Sequence, residues 1–197
     1  MKAIKDGDTY KLPTTITRYY SKNWTQPTLT SNTSNSSFVL SDHKSGADAF
    51  KAFDSDTNGT GWGVQGTAGS FSGKSYWLQM VSNVGLNITN IAITNRKVSD
   101  NSTQAITKGY VQISNNGTSW TTVTNWTNSN TGGGETWNIP ISYSGFYKYI
   151  RLYATDATTS NSGNHILVMN IKLTATVQGT SSDYSSYKDM PIYYVVN

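Results

Sequence analysis

Residues 52–62 read Ala52-Phe53-Asp54-Ser55-Asp56-Thr57-Asn58-Gly59-Thr60-Gly61-Trp62. An apolar pair opens this stretch and a tryptophan closes it; carboxylates, hydroxyls, an amide and glycines lie between. Such a loop offers hard oxygen donors, and Ca²⁺ takes six to eight of these at roughly 2.3–2.6 Å. The same residues also build an Asx-rich turn that satisfies its own backbone. The residues alone leave both readings open.

No other chemistry is as dense. There is no cysteine, so neither a disulfide framework nor a thiolate metal site exists. The two histidines, His43 and His165, are far apart and give no zinc spacing. The single glutamate, Glu135, has no sequence-paired carboxylate for glycosidase work, and no nucleophile elbow surrounds any serine. The chain reads as a non-enzyme. Net charge is +4, but the lysines are scattered and only three arginines occur, without a basic stripe; this disfavours nucleic acid as a partner. No apolar run is long enough to span a bilayer and no signal peptide opens the chain, so membrane insertion is not expected.

The elements that must position these groups are strands. Charged residues make up 13% of the 197 residues, with Thr, Ser, Asn and Gly filling the polar positions. That composition suits sheets whose solvent faces carry hydroxyls and amides. Alternation predicts strands over 76–80, 88–96 (Ile91 and Ile93 on one face), 109–114 (Val111 and Ile113 inward), 120–126, 146–154 (Ile150 and Leu152 opposite Tyr149 and Arg151) and 166–177. A turn is predicted at 115–119, a glycine turn at 131–134, a helical turn within 47–53, and a Gly-rich excursion at 63–73. Many short strands with no long helix argue an antiparallel sandwich or barrel. Trp62, Trp77 and Trp120 sit at apolar pattern positions and are expected in the core. Three regions follow: an N-terminal arm and linker (1–35) with strands at 1–5 and 10–16 around Asp6-Gly7-Asp8, a compact module (36–177), and a C-terminal extension (178–197) ending in the apolar Ile192-Tyr193-Tyr194-Val195-Val196.

Four segments in order carry a resemblance: residues 52–62, Tyr76-Trp77-Leu78-Gln79-Met80, residues 111–120 around Ser114-Asn115-Asn116-Gly117, and Tyr149-Ile150-Arg151-Leu152. Over about residues 36–177 the chain resembles the discoidin or coagulation-factor-5/8 C-domain superfamily, including family 32 carbohydrate-binding modules. The resemblance implies an all-β jelly-roll β-sandwich, a structural Ca²⁺ near the first segment, and a sugar site on loops at one end. By position it makes Asp54, Asp56 and Thr60 neighbours of the cation. Where the family places a last-strand glutamate the chain has Asn170, which weakens the site. It also points to Arg96 just past a strand end, to His43, and to Asn161, Asn164 and His165 before the last strand, with Phe71 as an aromatic platform beside Tyr76. Each also reads as an ordinary surface or loop residue, and Tyr76 as core.

The function expected is carbohydrate binding without catalysis. The lack of a leader, the extensions and a start (Met1-Lys2-Ala3-Ile4-Lys5, then Tyr10-Lys11-Leu12-Pro13) that looks like small bacteriophage structural proteins suggest a virion tail or head-decoration component. It would grip bacterial cell-surface polysaccharide and contact other virion proteins as a homo-oligomer. Localisation is then the virion, or alternatively the bacterial surface or the extracellular space. The competing expectation is a jelly-roll adaptor that binds protein and no sugar.

Overall fold

The computed structural model describes residues 4–6, 9–11, 20–42, 49–56, 61–66, 76–96, 105–158 and 164–179, with 4–6, 9–11, 20, 64–66, 164–167 and 179 described by backbone alone. The chain divides into two compact units, Met1–Lys22 with Gln178–Asn197, and Asn23–Val177. In the first, β1 (Ile4–Asp6) and β2 (Thr9–Lys11) form an antiparallel hairpin in the register Ile4↔Lys11 and Asp6↔Thr9. Of the predicted strands at 1–5 and 10–16, residues 1–3 and 12–16 lie outside the described residues. The apolar segment 190–196 lies outside the described residues.

The second unit holds β4 (Phe38–Asp42), a 3-10 turn (Ala49–Ala52), β5 (Trp62–Gly66), β6 (Tyr76–Asn95), β7 (Ile106–Ser114), β8 (Thr121–Thr127), β9 (Thr136–Pro140), β10 (Tyr147–Ala157) and β11 (Asn164–Gly179); β3 (Tyr20–Asn23) runs into its start. The short helical turn and most strands fall where alternation puts them. The 63–73 region differs: its first residues form β5, paired with β11 from Trp62↔Val168 to Asn164↔Gly66. Glycines read as an excursion, but an antiparallel neighbour supplies the backbone hydrogen bonds.

Two sheets share one strand. The first half of β6 pairs with β4 and β10, and β10 continues through β7 to β8, giving the order β4-β6-β10-β7-β8. The second half of β6 pairs with β9 and β11. Sequence predicted two strands here. They are one 20-residue strand whose alternation breaks at Asn83 and Val84, both exposed, beside Gly85. A Cβ on Gly85 would stand 2.8 Å from Phe146 Cβ, so the corner needs glycine to pass β10's entry.

The core is the sum of inward positions: Leu78, Met80, Val111, Ile150 and Leu152 from the first sheet, Ile91, Ile93, Ile139, Ile171 and Leu173 from the second, all essentially buried. Trp62 has no exposed surface, as expected. Trp77 and Trp120 do not share that place and correct the expectation. Trp77 is out of phase with Leu78 and Met80, so the pleat turns it to the outer face, half-buried. There Trp77 and Trp120 enclose the Arg151 guanidinium, 4.8 and 3.9 Å from their ring centres. Within the region read as arm and linker (1–35), Leu29 has no exposed surface, and Trp24 packs on Phe38 at 5.3 Å.

The predicted turn between β7 and β8 is built by side chains. Asn116 Oδ1 accepts from the N–H groups of Thr118 (2.9 Å) and Ser119 (2.8 Å), and Gly117 takes φ +72°. This is Asx-turn chemistry with glycine at the left-handed position.

Candidate functional site

Which strand ends share one end of the sandwich follows from two tryptophans. Trp126 stands opposite Gly109 on β7, and Trp137 opposite Ile93 on β6. Their rings meet at 5.2 Å. The end of the second sheet holding Ile93–Asn95 therefore covers the end of the first holding Gly109, Ala154 and Tyr76, which are mutual neighbours in register. Both termini of β6 emerge here, along with the C-terminal end of β4, where Asp42 pairs Leu78, and the N-terminal end of β11.

Arg96 follows β6 at this end and is half-buried. The residue before it was not singled out by sequence reasoning, yet it organises the region. Asn95 occupies the inward phase of Ile91 and Ile93 and is only 2% exposed. Its Nδ2 donates to the carbonyls of Asn130 (2.7 Å) and Gly132 (3.1 Å), and its Oδ1 accepts from Trp137 Nε1 (3.0 Å). Its own N–H donates to Glu135 O (2.9 Å). A buried amide is tolerated only when its donors and acceptors are met; here the 130–132 carbonyls meet the donors and Trp137 meets the acceptor. The readable signal was a polar residue in a core phase.

The N-terminal end of β11 extends past Asn95 as a two-stranded ribbon with β5, pairing His165↔Gln65 and Asn164↔Gly66. So the backbones of Asn164 and His165 project from the end that carries Arg96. His43, Phe71 and Asn161 lie outside the described residues. Tyr76, the alternative aromatic, is buried.

The Asp54 loop is tied to β11 on both sides of Asn170. Before the loop, Leu29 N–H donates to Phe53 O (2.9 Å) and Thr28 Oγ1 meets Ser55 Oγ at 3.4 Å. Two residues earlier Gln26 acts as a surrogate strand: its Nε2 donates to Ile171 O (2.8 Å) and its Oε1 accepts from Leu173 N–H (2.7 Å). After the loop, Gly61 lies so close to β11 that a Cβ would meet Val168 O and Met169 Cα. Asn170 itself pairs with Thr94. Within the loop, Asp54 Oδ1 accepts from Asp56 N–H at 2.8 Å and Ser55 takes φ 65°. The self-satisfied turn is thus realised at its first residues; a carboxylate has about four acceptor positions, so Asp54 keeps capacity for a cation. Thr60 lies outside the described residues. Among the described residues no three His, Cys, Asp or Glu side chains gather; the described carboxylates of this loop are Asp54 and Asp56.

The opposite end is apolar. A shallow recess of about 10 Å³ is lined by Leu86, Ile88, Ile113, Ile141 and Ile150 together with Tyr143 and Tyr147. Tyr143 (42% exposed) and Val84 (44%) are the large exposed hydrophobics of the described residues. The hydrogen bond to Tyr143 raises the Tyr147 phenol above its ordinary pKa.

Solved structures share this architecture. An F5/8 type C domain from Bacteroides fragilis superposes with TM-score 0.53 at 18% identity, over 71% of this chain and 91% of that one. A family 32 carbohydrate-binding module from a family 31 glycoside hydrolase of Clostridium perfringens gives 0.52 at 13% identity, over 73% and 92%. The family 32 module of NanJ from Clostridium perfringens, solved in complex with galactose, gives 0.50 at 17% identity, over 73% and 95%. At such identities the likeness is one of fold. No curated protein matches the chain by sequence. The F5/8 type C domain family, however, matches residues 14–170. With its two antiparallel sheets, loop-bearing end and signature segments in order, the chain belongs to the F5/8 type C domain family.

Proposed function

We propose that this domain is a non-catalytic carbohydrate-binding protein whose site is the end of the sandwich carrying Arg96. The observation behind it is convergence. A cationic donor follows the buried Asn95 staple, and the β5–β11 ribbon bearing His165 leaves the same end. A sugar is recognised by a few directional polar groups on a rigid frame, with an apolar surface beneath its ring. The fold neighbour solved with galactose supports the class of ligand.

A glycan array tests it. The wild type is expected to retain a defined subset of glycans, and Arg96→Ala to weaken them about 10- to 100-fold, since a hydrogen bond to a charged group contributes about 1.5–3 kcal/mol. Circular dichroism should show the fold unchanged. Retention undiminished in Arg96→Ala would remove this site from the account.

The setting we propose is a virion, in which many copies display a weak site against bacterial surface polysaccharide and gain avidity. Mass spectrometry of purified particles, with mass photometry of the isolated chain, checks placement and oligomer. The adaptor reading draws on the apolar recess at the other end with exposed Val84 and Tyr143; a wild-type array without retained glycans would favour it.

The Asp54 loop further fits one weakly held Ca²⁺. Two carboxylates and neutral oxygens place it in the affinity class of about 10⁻⁴–10⁻³ M. At about ten times Kd, binding stabilises by roughly 1.4 kcal/mol, so Ca²⁺ should raise Tm by a few degrees over an EDTA-treated sample. Asp54→Ala should abolish the rise; a rise that persists in this variant would put the ion elsewhere.

A further inference from the structure

The loop between β8 and β9 is fixed at both ends by buried amides. Asn95 holds its far part, as described. Asn128, 8% exposed, holds its start: Nδ2 donates to Ile106 O (3.0 Å) and Asn130 O (2.9 Å), and Oδ1 accepts from Asn130 N–H (2.8 Å). Two satisfied, buried asparagines are more than a connection of this length needs. Their effect is to hold the loop in one conformation before any ligand arrives, which removes an ordering cost from binding.

The loop runs beside Arg96. Thr94 pairs with Thr136, and one step on Asn95 N–H donates to Glu135 O while Gly134 N–H donates to Asn95 O (3.2 Å). Arg96 is the next residue along the chain from this contact. Gly132, Gly133 and Gly134 put no side chain on this stretch, and the Glu135 carboxylate lies over Gly132, 2.6 Å from where a Cβ there would stand. Glu135, the chain's one glutamate, is exposed at its end. One of its oxygens, Oε2, accepts from Gly132 N–H at 3.1 Å; among the described residues the carboxylate's other acceptor positions, about three of four, take no further hydrogen bond.

We propose that this loop is a preformed wall of the saccharide site and that Glu135 contacts the ligand, accepting hydroxyl hydrogen bonds next to Arg96. The inference rests on the carbohydrate-binding reading above. A sugar hydroxyl both donates and accepts. A carboxylate that only accepts, beside a guanidinium that only donates, distinguishes two neighbouring hydroxyls by polarity. The ligand class is a pyranose with adjacent free hydroxyls, at a chain end or on an exposed branch.

The test uses the full chain on an array of mono- to tetrasaccharides, comparing wild type, Glu135→Gln and Glu135→Asp. Glutamine keeps the shape and an oxygen for Gly132 N–H, so a residue that only caps its own turn would be little affected. A ligand contact loses its charge-assisted acceptor. The expected result is about a tenfold loss in Glu135→Gln across every glycan the wild type retains, with Tm unchanged within about 1 °C; Glu135→Asp, shorter but charged, should fall between them. Wild-type retention matched by Glu135→Gln would overturn the inference and leave the carbohydrate reading standing. A wild type that retains no glycan would overturn both.

Discussion

Gly61→Ala should cost about 3 kcal/mol or more of stability, because the added methyl would meet main chain on every near side. Its Cβ would collide with Val168 O and stand 2.6 Å from Met169 Cα. Neither atom is the tip of a flexible side chain. Val168 pairs with Trp62 on β5 and with Asn95 on β6, so β11 is held from both neighbours and cannot retreat. Overpacking in a well-packed site typically costs about 1–3 kcal/mol, and rigid backbone puts this case at or above that range. The same push would lift the Asp54 loop from β11 and should abolish the Ca²⁺-dependent rise in Tm. Urea denaturation monitored by tryptophan fluorescence measures the first effect. A change within about 0.5 kcal/mol, the range of an ordinary surface substitution, would mean that the loop is not seated on β11.

Arg151→Ala is expected to be of similar size, about 2–4 kcal/mol, for a different reason. The guanidinium lies between the rings of Trp120 and Trp77, while Nε donates to Gln79 Oε1 at 2.8 Å and Nη1 meets Tyr153 OH at 3.4 Å. A cation over an indole contributes about 0.5–2 kcal/mol depending on desolvation. The hydrogen bond adds to this, and the stem covers apolar sheet surface. Arg151→Lys should recover less than half of the loss, because an ammonium cannot stack between two rings as a planar guanidinium does. Equal stability of the lysine variant and the wild type would show that charge alone suffices and that the stack is incidental.

That stack also explains what the sequence disclosed. Trp77, Trp120 and Arg151 come from three of the four signature segments, which look independent along the chain and are one object in space. The family could therefore be read before the stack was known, yet Trp77 and Trp120 were assigned to the wrong side. Large apolar residues next to an apolar strand look internal, and only the pleat, with Leu78 inward, settles the face. Strands with strict alternation, such as Ile171-Leu173-Ala175-Val177 on β11, were legible because burial on one face imposes a period of two. β5 was not, because Gly63 and Gly66 carry no pattern and its pairing comes from β11, distant in sequence, from Trp62↔Val168 to Gly66↔Asn164. The corner in β6 was not, because residues 83–85 interrupt alternation whether a strand ends or bends.

At the site the division is similar. The Asp54 loop and Arg96 were visible as residue types at recognisable positions. Asn95, Asn128 and Gln26 were not, since their roles depend on which carbonyls the fold brings to their amides. In an Asn- and Thr-rich chain, a buried amide differs from its solvated neighbours only by its phase within a strand.

The Arg96 end of the sandwich is where we propose that a saccharide binds. Backbone amide chemical shifts of the isotopically labelled chain, followed while titrating a glycan selected from the array, test this most directly. The expected perturbations cluster at residues 94–96, 130–135 and 164–166, with the Leu86, Ile141 and Tyr147 end unmoved. Perturbations centred on the apolar recess at that other end would contradict it.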